Sequence, residues 1–245
     1  MLLHMQKIVI IIPCYNEEKR LQKDAFVSFL SGQPDAVLFF VNDGSKDNTQ
    51  TTLTNIQLIN PAQIRIINLD ENKGKANAVQ TGLLASLEEN EFAYAGYLDA
   101  DLSTSLNEFY RLYQLMKEKE LDFIFGSRIK MINTSVKRTL FRHLAGRLVA
   151  TAIDSKFKLG IYDTQCGAKC FKSEVVRSVC DTPFITKWFF DVEIFLRIKK
   201  NLPLAKGLEA PLLKWEDTVG SKITVLNFST ILKEIFLLHR HYTKQ

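Results

Sequence analysis

Five short runs of apolar, often β-branched residues alternate with stretches of helical periodicity in the first half of the chain. Runs of this length and composition predict buried strands. The predicted strands are Lys7–Ile12, Ala36–Val41, Gln63–Leu69, Phe92–Leu98 and Asp122–Gly126. The helices predicted between them are Lys19–Leu30, Asp47–Ile59, Lys75–Glu88 and Asn107–Lys119. This alternation predicts an α/β fold with a mostly parallel sheet that is flanked by helices.

The second half of the chain has a different pattern. Lys130–Ser155 is basic, and its second half is predicted to be helical; Asp163–Phe171 is predicted to be a loop followed by a strand. Thr182–Lys199 contains an aromatic cluster and then a predicted helix, and Leu226–Leu238 predicts a final amphipathic helix. Because no linker-like segment interrupts the chain, we expect a single domain over residues 1–245.

The composition is that of an ordinary globular protein. The net charge of +5 is mild, and because nucleic-acid-binding proteins usually carry a denser basic surface, we expect no nucleic-acid partner. Four cysteines are too few for a disulfide framework in a chain of this length, so free thiols in a reducing cytosol are expected. No run approaches the roughly 18–20 consecutive apolar residues of a transmembrane helix. We therefore expect a cytoplasmic protein that does not span a membrane.

Polar motifs follow the predicted strands. The D-x-D motif Asp99–Asp101 comes directly after the fourth strand, and its two carboxylates would point to the same side of an extended segment. Pro13–Glu18 and Asn42–Ser45 follow the first two strands, and Asn72–Ala78 follows the third. Each motif alone could be a strand end or a turn. Together they predict a ligand site, because open α/β sheets bind ligands at the carboxyl ends of their strands.

These motifs resemble those of the family-2 glycosyltransferases of GT-A fold. They are Pro13-x-Tyr15-Asn16-Glu17, Asn42-Asp43-Gly44-Ser45, Lys73-Gly74-Lys75 and Asp99-Ala100-Asp101. Three later motifs are similar to those of dolichyl-phosphate β-glucosyltransferases and dolichyl-phosphate mannose synthases. They are Gly126–Arg128, Asp163–Lys169 and Trp188–Glu193. One departure is Asn42, where relatives commonly have Asp; the following acid, which matches the base-contacting position, is kept as Asp43.

The resemblance implies a half that binds a nucleotide sugar at residues 7–128. The residues that it implies for this donor are Pro13, Tyr15, Glu17, Asp43, Lys75, Asp99, Ala100 and Asp101. Chemically, Tyr15 offers a surface for the base, and Asp43 can accept a hydrogen bond from a base N–H. Mg²⁺ or Mn²⁺ on carboxylate oxygens would offset the diphosphate charge, so we predict Asp101 and then Asp99 as metal ligands. Lys75 is predicted to approach the phosphates.

Residues 129–225 are expected to bind the acceptor, with the C-terminal amphipathic helix at 226–245. A hydroxyl acceptor needs a base near its proton, whereas a phosphate is already anionic and needs cations. Basic residues cluster in this part of the chain, which favours a phosphate. From this cluster and the resemblance, the predicted acceptor-binding residues are Arg128, Arg138, Arg142, Gln165, Lys169, Trp188 and Lys222. The predicted catalytic residues are Asp101, Arg128 and Asp191, the last being an acid that approaches the sugar in relatives.

The resemblance implies an inverting, metal-dependent transfer of a hexose, with glucose from UDP-glucose favoured, to a polyprenyl phosphate such as dolichyl or undecaprenyl phosphate. Three alternatives stay open: a hydroxyl acceptor with Asp191 as base, GDP-mannose as donor, and a nucleotide-sugar-binding module without catalysis. Lys137–Ile153 and the C-terminal helix are candidates for peripheral contact with the cytosolic face of a membrane. The commoner alternative is that the helix packs on its own domain.

Overall fold

The structure is a computed structural model that describes residues 7–89, 92–137, 140–216 and 228–243, with backbone alone at 140–145 and 228–229. Its strands are β1 (Lys7–Cys14), β2 (Ala36–Asp43), β3 (Ile64–Leu69), β4 (Phe92–Leu98), β5 (Phe123–Ser127), β6 (Ser135–Lys137), β7 (Ala168–Lys172), β8 (Gly207–Pro211) and β9 (Lys214–Glu216). The main sheet has the order β3-β2-β1-β4-β7-β5-β8, and β6 pairs with β9 in a small second sheet. β7 runs antiparallel to β4 and β5, and the other pairs are parallel.

Helices cover both faces of the main sheet. They are α1 (Lys23–Gly32), α2 (Thr49–Gln57), α3 (Lys75–Glu88), α4 (Leu106–Glu118), α5 (Leu140–Phe157), α6 (Ser173–Val179), α7 (Phe190–Asn201) and α8 (Phe228–Tyr242). Side chains of α1, α2 and α4 share one apolar cluster with the sheet, and those of α3, α6 and α7 share another. The predicted α/β fold with a mostly parallel, helix-flanked sheet is confirmed.

The apolar run of β1 shows why this chain forms such a sheet. Ile8, Ile10 and Ile12 pack into the first cluster, whereas Val9 and Ile11 pack into the second. Alternate residues of a strand point to opposite faces, so a strand covered on both sides must be apolar throughout. All five of these side chains are fully buried.

A third apolar cluster joins α5, α7 and α8. Its buried members are Ile153, Phe157, Phe189, Val192, Leu196 and Leu238. The C-terminal helix therefore packs one face on its own domain, as one of the two predicted arrangements requires. The opposite face leaves Leu232 and Phe236 more than half exposed, at 51% and 61%. Within the described ranges, no helix combines the length and the apolar character that crossing a bilayer requires.

Several element boundaries differ from those predicted. The second strand continues past Val41 to Asp43, because Asn42 and Asp43 pair in register with β3. The first helix begins at Lys23 rather than Lys19, because the chain makes a hydrogen-bonded turn before it. The short elements β6, β8, β9 and α6 were not predicted. Their few residues carry too little periodicity to distinguish them from loops.

Candidate active site

The loops after β1 and β4 meet where the strand order changes direction. From β1 the chain winds outward through β2 and β3, and it then places β4 on the other side of β1. Open α/β sheets bind ligands at such a switch point. Tyr15–Glu17 and Asp99–Asp101 follow these two strands, so the structure brings both motifs to one edge. Pro13 lies within the last part of β1, half-buried and paired in register with Val41.

A polar cleft of about 670 Å³ lies beside this edge, between the loops after β1, β2 and β3. Its lining residues include Tyr15, Asn42, Gly44, Ser45, Asn68 and Asp70. The Asn16 N–H donates to Ser45 Oγ at 3.0 Å, and Asn16 Oδ1 accepts from the Lys46 N–H at 2.9 Å. Gly44 has φ +62°, and a Cβ there would lie 2.5 Å from the backbone of Glu71. Glycine thus lets the loops close around a cleft whose polar walls suit a nucleoside.

Asp43 holds the turn that precedes α3. Its side chain is 2% exposed, and its two carboxylate oxygens accept from the N–H groups of Lys73 at 2.9 Å and Gly74 at 2.8 Å. Two backbone donors of the turn are thereby satisfied by one acid from the neighbouring strand. Asp43 therefore places Lys75 at the start of α3. Its contact with a base stays a prediction.

Arg20 is a site residue that sequence reasoning missed. Its guanidinium donates to both carboxylate oxygens of Glu17, through Nε at 2.6 Å and through Nη2. The hydrogen bond to Glu17 raises the pKa of Arg20, and the negative charges of Glu17, Asp101 and Asp99 raise it further. The Glu17 backbone N–H is bound in turn by Thr49 Oγ1 at 2.7 Å. The spacing of three residues between Glu17 and Arg20 is the signal that could have revealed this pair.

The D-x-D motif lies in a network of charges. Lys75 Nζ lies 2.5 Å from Asp99 Oδ1, and both side chains keep about two fifths of their surface exposed, 38% and 40%. Burial alone would lower the pKa of Lys75, but the charges of Asp99, Asp191 and Asp101 raise it above its usual value. Asp101 Oδ1 accepts from the backbone N–H of Ser103 at 3.0 Å. Lys75 thus remains a cation beside three carboxylates at neutral pH.

The backbone around this motif joins the two halves of the chain. The Asp99 N–H donates to the carbonyl of Gly167 at 3.2 Å, and a Cβ at Gly167 would lie 2.0 Å from Asp99 Oδ2. Only glycine therefore lets the loop before β7 approach the carboxylate. Ala100 is 5% exposed, and its side chain packs in the core.

Asp99 and Asp101 have the chemistry that a divalent cation requires. Mg²⁺ and Mn²⁺ prefer oxygen ligands, and Mg²⁺ commonly binds through one or two carboxylates together with substrate phosphates. In the part of the chain that the structure describes, no three His, Cys, Asp or Glu side chains are grouped to hold a metal by themselves. A metal at these two aspartates would therefore depend on phosphate oxygens of the donor. The donor set fits that arrangement.

Asp191 is part of a buried network at the start of α7. Its Oδ1 accepts hydrogen bonds from Lys169 Nζ and from the hydroxyl of Tyr97. Lys169 has no exposed surface and also donates to the Cys166 carbonyl at 2.7 Å. Burial, and then the charge of Asp191, raise the pKa of Tyr97 well above its ordinary value. From the sequence we predict that Lys169 contacts the acceptor. In the structure its ammonium is buried, and its link to the site is the ion pair with Asp191.

Arg128 and Asp163 form a second, largely buried ion pair. Arg128 Nε donates to Oδ2 at 2.7 Å and Nη2 to Oδ1 at 2.8 Å, so the pair is bidentate. The Arg128 backbone N–H also donates to the same carboxylate, at 3.0 Å. Burial alone would lower the pKa of Arg128, but the charge of Asp163 and these hydrogen bonds raise it. The guanidinium also lies over the Trp215 ring, 5.5 Å from its centroid.

The loop that carries Asp163 is fixed from both sides. Glu209 on β8 accepts from the N–H groups of Tyr162 and Asp163, each at 2.8 Å. Arg147 on α5 donates to the Tyr162 carbonyl at 2.7 Å and stacks on its ring, 3.8 Å from the centroid. Within the described residues, buried Thr164 Oγ1 and Gln165 Nε2 have no hydrogen-bond partner. Such atoms are rare in folded proteins and are commonly satisfied by water or a ligand.

The remaining predicted acceptor residues are placed only in part. Trp188 lies just before α7 and is 36% exposed. Arg138 and Lys222 lie outside the described residues, and for Arg142 the structure describes only the helical backbone. The roles predicted for these residues stay predictions. The structure does bring Asp99, Lys75, Asp191 and the Gly167 loop together, and these come from both halves of the chain.

Comparison with known proteins relates this geometry to a family. The family model described as Glycosyl transferase family 2 matches residues 9–180. The dolichyl-phosphate beta-glucosyltransferase of Dictyostelium discoideum is 31% identical over 249 residues, which covers 95% of this chain and 74% of that protein. The dolichyl-phosphate beta-glucosyltransferase ALG5A of Trichomonas vaginalis is 32% identical over 246 residues, covering 94% and 73%.

Solved structures show the same fold. Glucosyl-3-phosphoglycerate synthase from Mycobacterium tuberculosis, in complex with phosphoglyceric acid, aligns with a TM-score of 0.70 at 15% identity, over 97% of this chain and 80% of that chain. The same enzyme with Mn²⁺, UDP and glucosyl-3-phosphoglycerate aligns with a TM-score of 0.67. The predicted GT-A fold and glycosyltransferase class are thus confirmed. Because the family model covers more than half of the chain, including the D-x-D motif, the chain belongs to glycosyltransferase family 2.

Proposed function

We propose that this enzyme transfers glucose from UDP-glucose to a polyprenyl phosphate such as dolichyl phosphate, with inversion at the anomeric carbon. Two observations support the donor and acceptor classes. The Dictyostelium and Trichomonas relatives are named for the dolichyl-phosphate beta-glucosyl transfer, and the chain spans nearly three quarters of each. The polar cleft beside Tyr15 has room and hydrogen-bonding groups for a uridine.

The pairing of Asp191 is the structural observation that carries the choice of acceptor. A hydroxyl acceptor must lose a proton to a nearby base, and Asp191 is the predicted candidate. Its carboxylate already neutralises the buried ammonium of Lys169 and accepts from Tyr97. Taking up a proton would break this pair and leave a buried charge uncompensated. A phosphate acceptor needs no base, because its oxygen is already anionic.

Polar groups on the loop before β7 support the same choice. Arg128 and Arg147 lie on this loop's two sides, and Gln165 and Thr164 present buried atoms with no partner among the described residues. A bound phosphate or sugar hydroxyl could satisfy those atoms. The charge of Arg128 is neutralised by Asp163 in the structure, so Arg128 would contact an anion only by exchanging that partner.

In the proposed reaction, a phosphate oxygen of the acceptor attacks the anomeric carbon of glucose. A new C–O bond forms on one face as the bond to UDP breaks on the other, and UDP leaves with the bonding electrons. This single displacement converts an α-linked donor to a β-linked product. Bound at Asp101 and Asp99, Mg²⁺ or Mn²⁺ would stabilise the charge of the leaving diphosphate. Lys75 and Arg20 add positive charge beside those aspartates.

We also propose peripheral contact between α8 and the cytosolic face of a membrane. The exposed side of α8 carries two apolar residues, Leu232 and Phe236, and two basic residues, Lys233 and Arg240. A helix with apolar and basic residues on one side suits the interface of an anionic bilayer. The four cysteines are buried and form no disulfide, which fits a reducing compartment such as the cytosol.

A donor–acceptor assay on the purified protein tests the proposal. UDP-glucose or GDP-mannose would be offered with Mg²⁺ or Mn²⁺, together with polyprenyl phosphate or the matching free polyprenol in detergent. We expect a lipid-linked sugar only with UDP-glucose and the phosphate. Product from the free polyprenol would contradict a phosphate acceptor, and product from GDP-mannose would contradict UDP-glucose as the donor. Activity in EDTA would contradict a requirement for a divalent metal.

A further inference from the structure

Five consecutive backbone N–H groups before α7 are bound by two carboxylates. Glu193 accepts from the first two at 3.0 and 3.2 Å, and Glu234 accepts from the next three at 3.3, 3.0 and 3.0 Å. The donors are Ile185, Thr186, Lys187, Trp188 and Phe189, which we call the 185–189 segment. This segment belongs to neither a helix nor a strand. Its path is therefore set by two side chains rather than by a backbone ladder.

Both carboxylates are linked to the C-terminal helix, although Glu193 also pairs with Arg197 of its own helix, Nη2 to Oε1 at 2.6 Å. Glu234 is itself a residue of α8 and is only 8% exposed. Glu193 has no exposed surface and accepts from the hydroxyl of Tyr242, also on α8, at 3.0 Å. Between these two points Leu238 packs with Phe189 in the apolar cluster of α5, α7 and α8. Glu234 and Tyr242 are eight positions apart, which is about 12 Å along the helix, so α8 holds the segment at separate places.

The same segment leads directly to the predicted acceptor side of the site. Phe189 is the N-cap residue of α7, and its own side chain makes no capping hydrogen bond. Glu234 supplies a different cap from another helix: it accepts from the N–H of the N-cap residue itself and from the two N–H groups before it, and its negative charge is favourable at the positive end of the α7 dipole. Trp188 is about one third exposed within the segment, and Asp191 lies in the first turn of α7. A shift of the cap would move both side chains.

We propose that Glu234 is a positioning residue, and that α8 supports the acceptor side of the active site through it. The cap sets the placement of Trp188 and Asp191 without itself touching a substrate. The matched family model ends at residue 180, before both helices, so this support lies outside the matched segment. The part of the inference that concerns acceptor affinity rests on the proposed function. The part that concerns the geometry of Trp188 does not.

The test compares Glu234→Gln and Glu234→Ala with Glu118→Gln, an exposed acid at the end of α4. Acrylamide quenching is read in a Trp215→Phe background, where Trp188 is the sole tryptophan; kinetics and UDP affinity are read in the protein that keeps Trp215, because that ring lies over Arg128. We expect both Glu234 variants to change this quenching and to raise the acceptor KM by about tenfold, because a small displacement of side chains that contact a substrate weakens binding and catalysis. The affinity for UDP, read by calorimetry, should stay within about twofold in the same variants, because the donor side is built on other elements.

Three outcomes decide the inference. Unchanged quenching and acceptor KM in both Glu234 variants would overturn it. An equal loss of UDP affinity would also overturn it, because Glu234 would then support the fold in general. If the parent enzyme transfers nothing to polyprenyl phosphate, the proposed function fails, and the quenching of Trp188 still decides whether Glu234 positions the segment. Should the alanine variant not fold, Glu234→Asp takes its place beside the glutamine variant.

Discussion

Lys169 and Lys172 lie three residues apart on β7, yet their ammonium groups are in opposite environments. Lys169 has no exposed surface and pairs with Asp191, which is also buried. Lys172 pairs with Asp122 at 2.8 Å, and each partner keeps about a third of its surface exposed, 32% and 30%. Removing one partner of a buried pair leaves an uncompensated charge, whereas an exposed pair contributes little to stability. One strand therefore provides a site residue and its matched control.

Replacing Lys169 by Met should destabilise the protein strongly. We expect the free energy of unfolding in urea to fall by about 3–5 kcal/mol. Lys172→Met should cost about 1 kcal/mol or less. The double variant Lys169→Met/Asp191→Asn removes both charges and should recover most of the loss in stability. Equal effects of the two single variants would contradict the buried pair.

Asp101→Asn should remove metal-dependent catalysis while leaving the fold intact. The side chain is partly exposed, so its replacement leaves no buried charge unpaired. We expect glucosyl transfer to fall by about a hundredfold, and the gain in UDP affinity from added Mn²⁺ to be lost. Circular dichroism and thermal unfolding would check the fold, with the exposed Asp24→Asn as control. A variant whose UDP affinity still responds to Mn²⁺ would show that Asp101 is not the ligand.

At the scale of elements, the two roles that we propose for α8 lie on its opposite faces. Its inner face carries Glu234 and Leu238, which contact the start of α7. Its outer face carries Leu232 and Phe236, which contact little protein. A helix that packs on its own domain can therefore still offer an apolar and basic face to a surface, so the two arrangements predicted from its sequence are compatible.

The double variant Leu232→Asn/Phe236→Asn should weaken membrane binding at a modest cost in stability. Folding buries about half of each side chain, and asparagine forms helices less well, so we expect the free energy of unfolding to fall by about 2–3 kcal/mol. Insertion of each into a bilayer is worth about 1.5–3 kcal/mol at full burial, so binding to anionic vesicles should fall by at least about tenfold in co-sedimentation. Leu204→Asn is the control, because Leu204 is 92% exposed in the turn before β8. An equal loss of vesicle binding in both variants would refute a specific role for α8.

At the scale of the whole molecule, the first half was predictable because each strand and helix there has its own strong pattern. α3 and β4 begin and end at the predicted residues, and the D-x-D motif lies where the β-α alternation places it. The second half depends on contacts distant in sequence. Nothing near Tyr97 indicates its bond to Asp191, 94 residues away, and nothing near Glu209 indicates that it holds the Asp163 loop. Such pairings follow from tertiary packing, which local periodicity does not encode.

The four cysteines report on the integrity of the entire fold. Cys14, Cys166, Cys170 and Cys180 form no disulfide and are at most 2% exposed, and they are spread over both sides of the sheet and both halves of the chain. Burial raises the pKa of the Cys166 thiol to about 12 and that of Cys180 also to about 12. At pH 8 only about one such thiol in ten thousand would be ionised, and the thiolate is the reactive form.

The native protein should therefore react negligibly with a thiol-specific disulfide reagent, and all four thiols should react together in denaturant. Because each thiol must first be uncovered, native-state reaction should follow opening of the core, and binding of UDP with Mn²⁺ should slow it. Fast reaction of any single thiol in the native protein would contradict a core that is closed around all four.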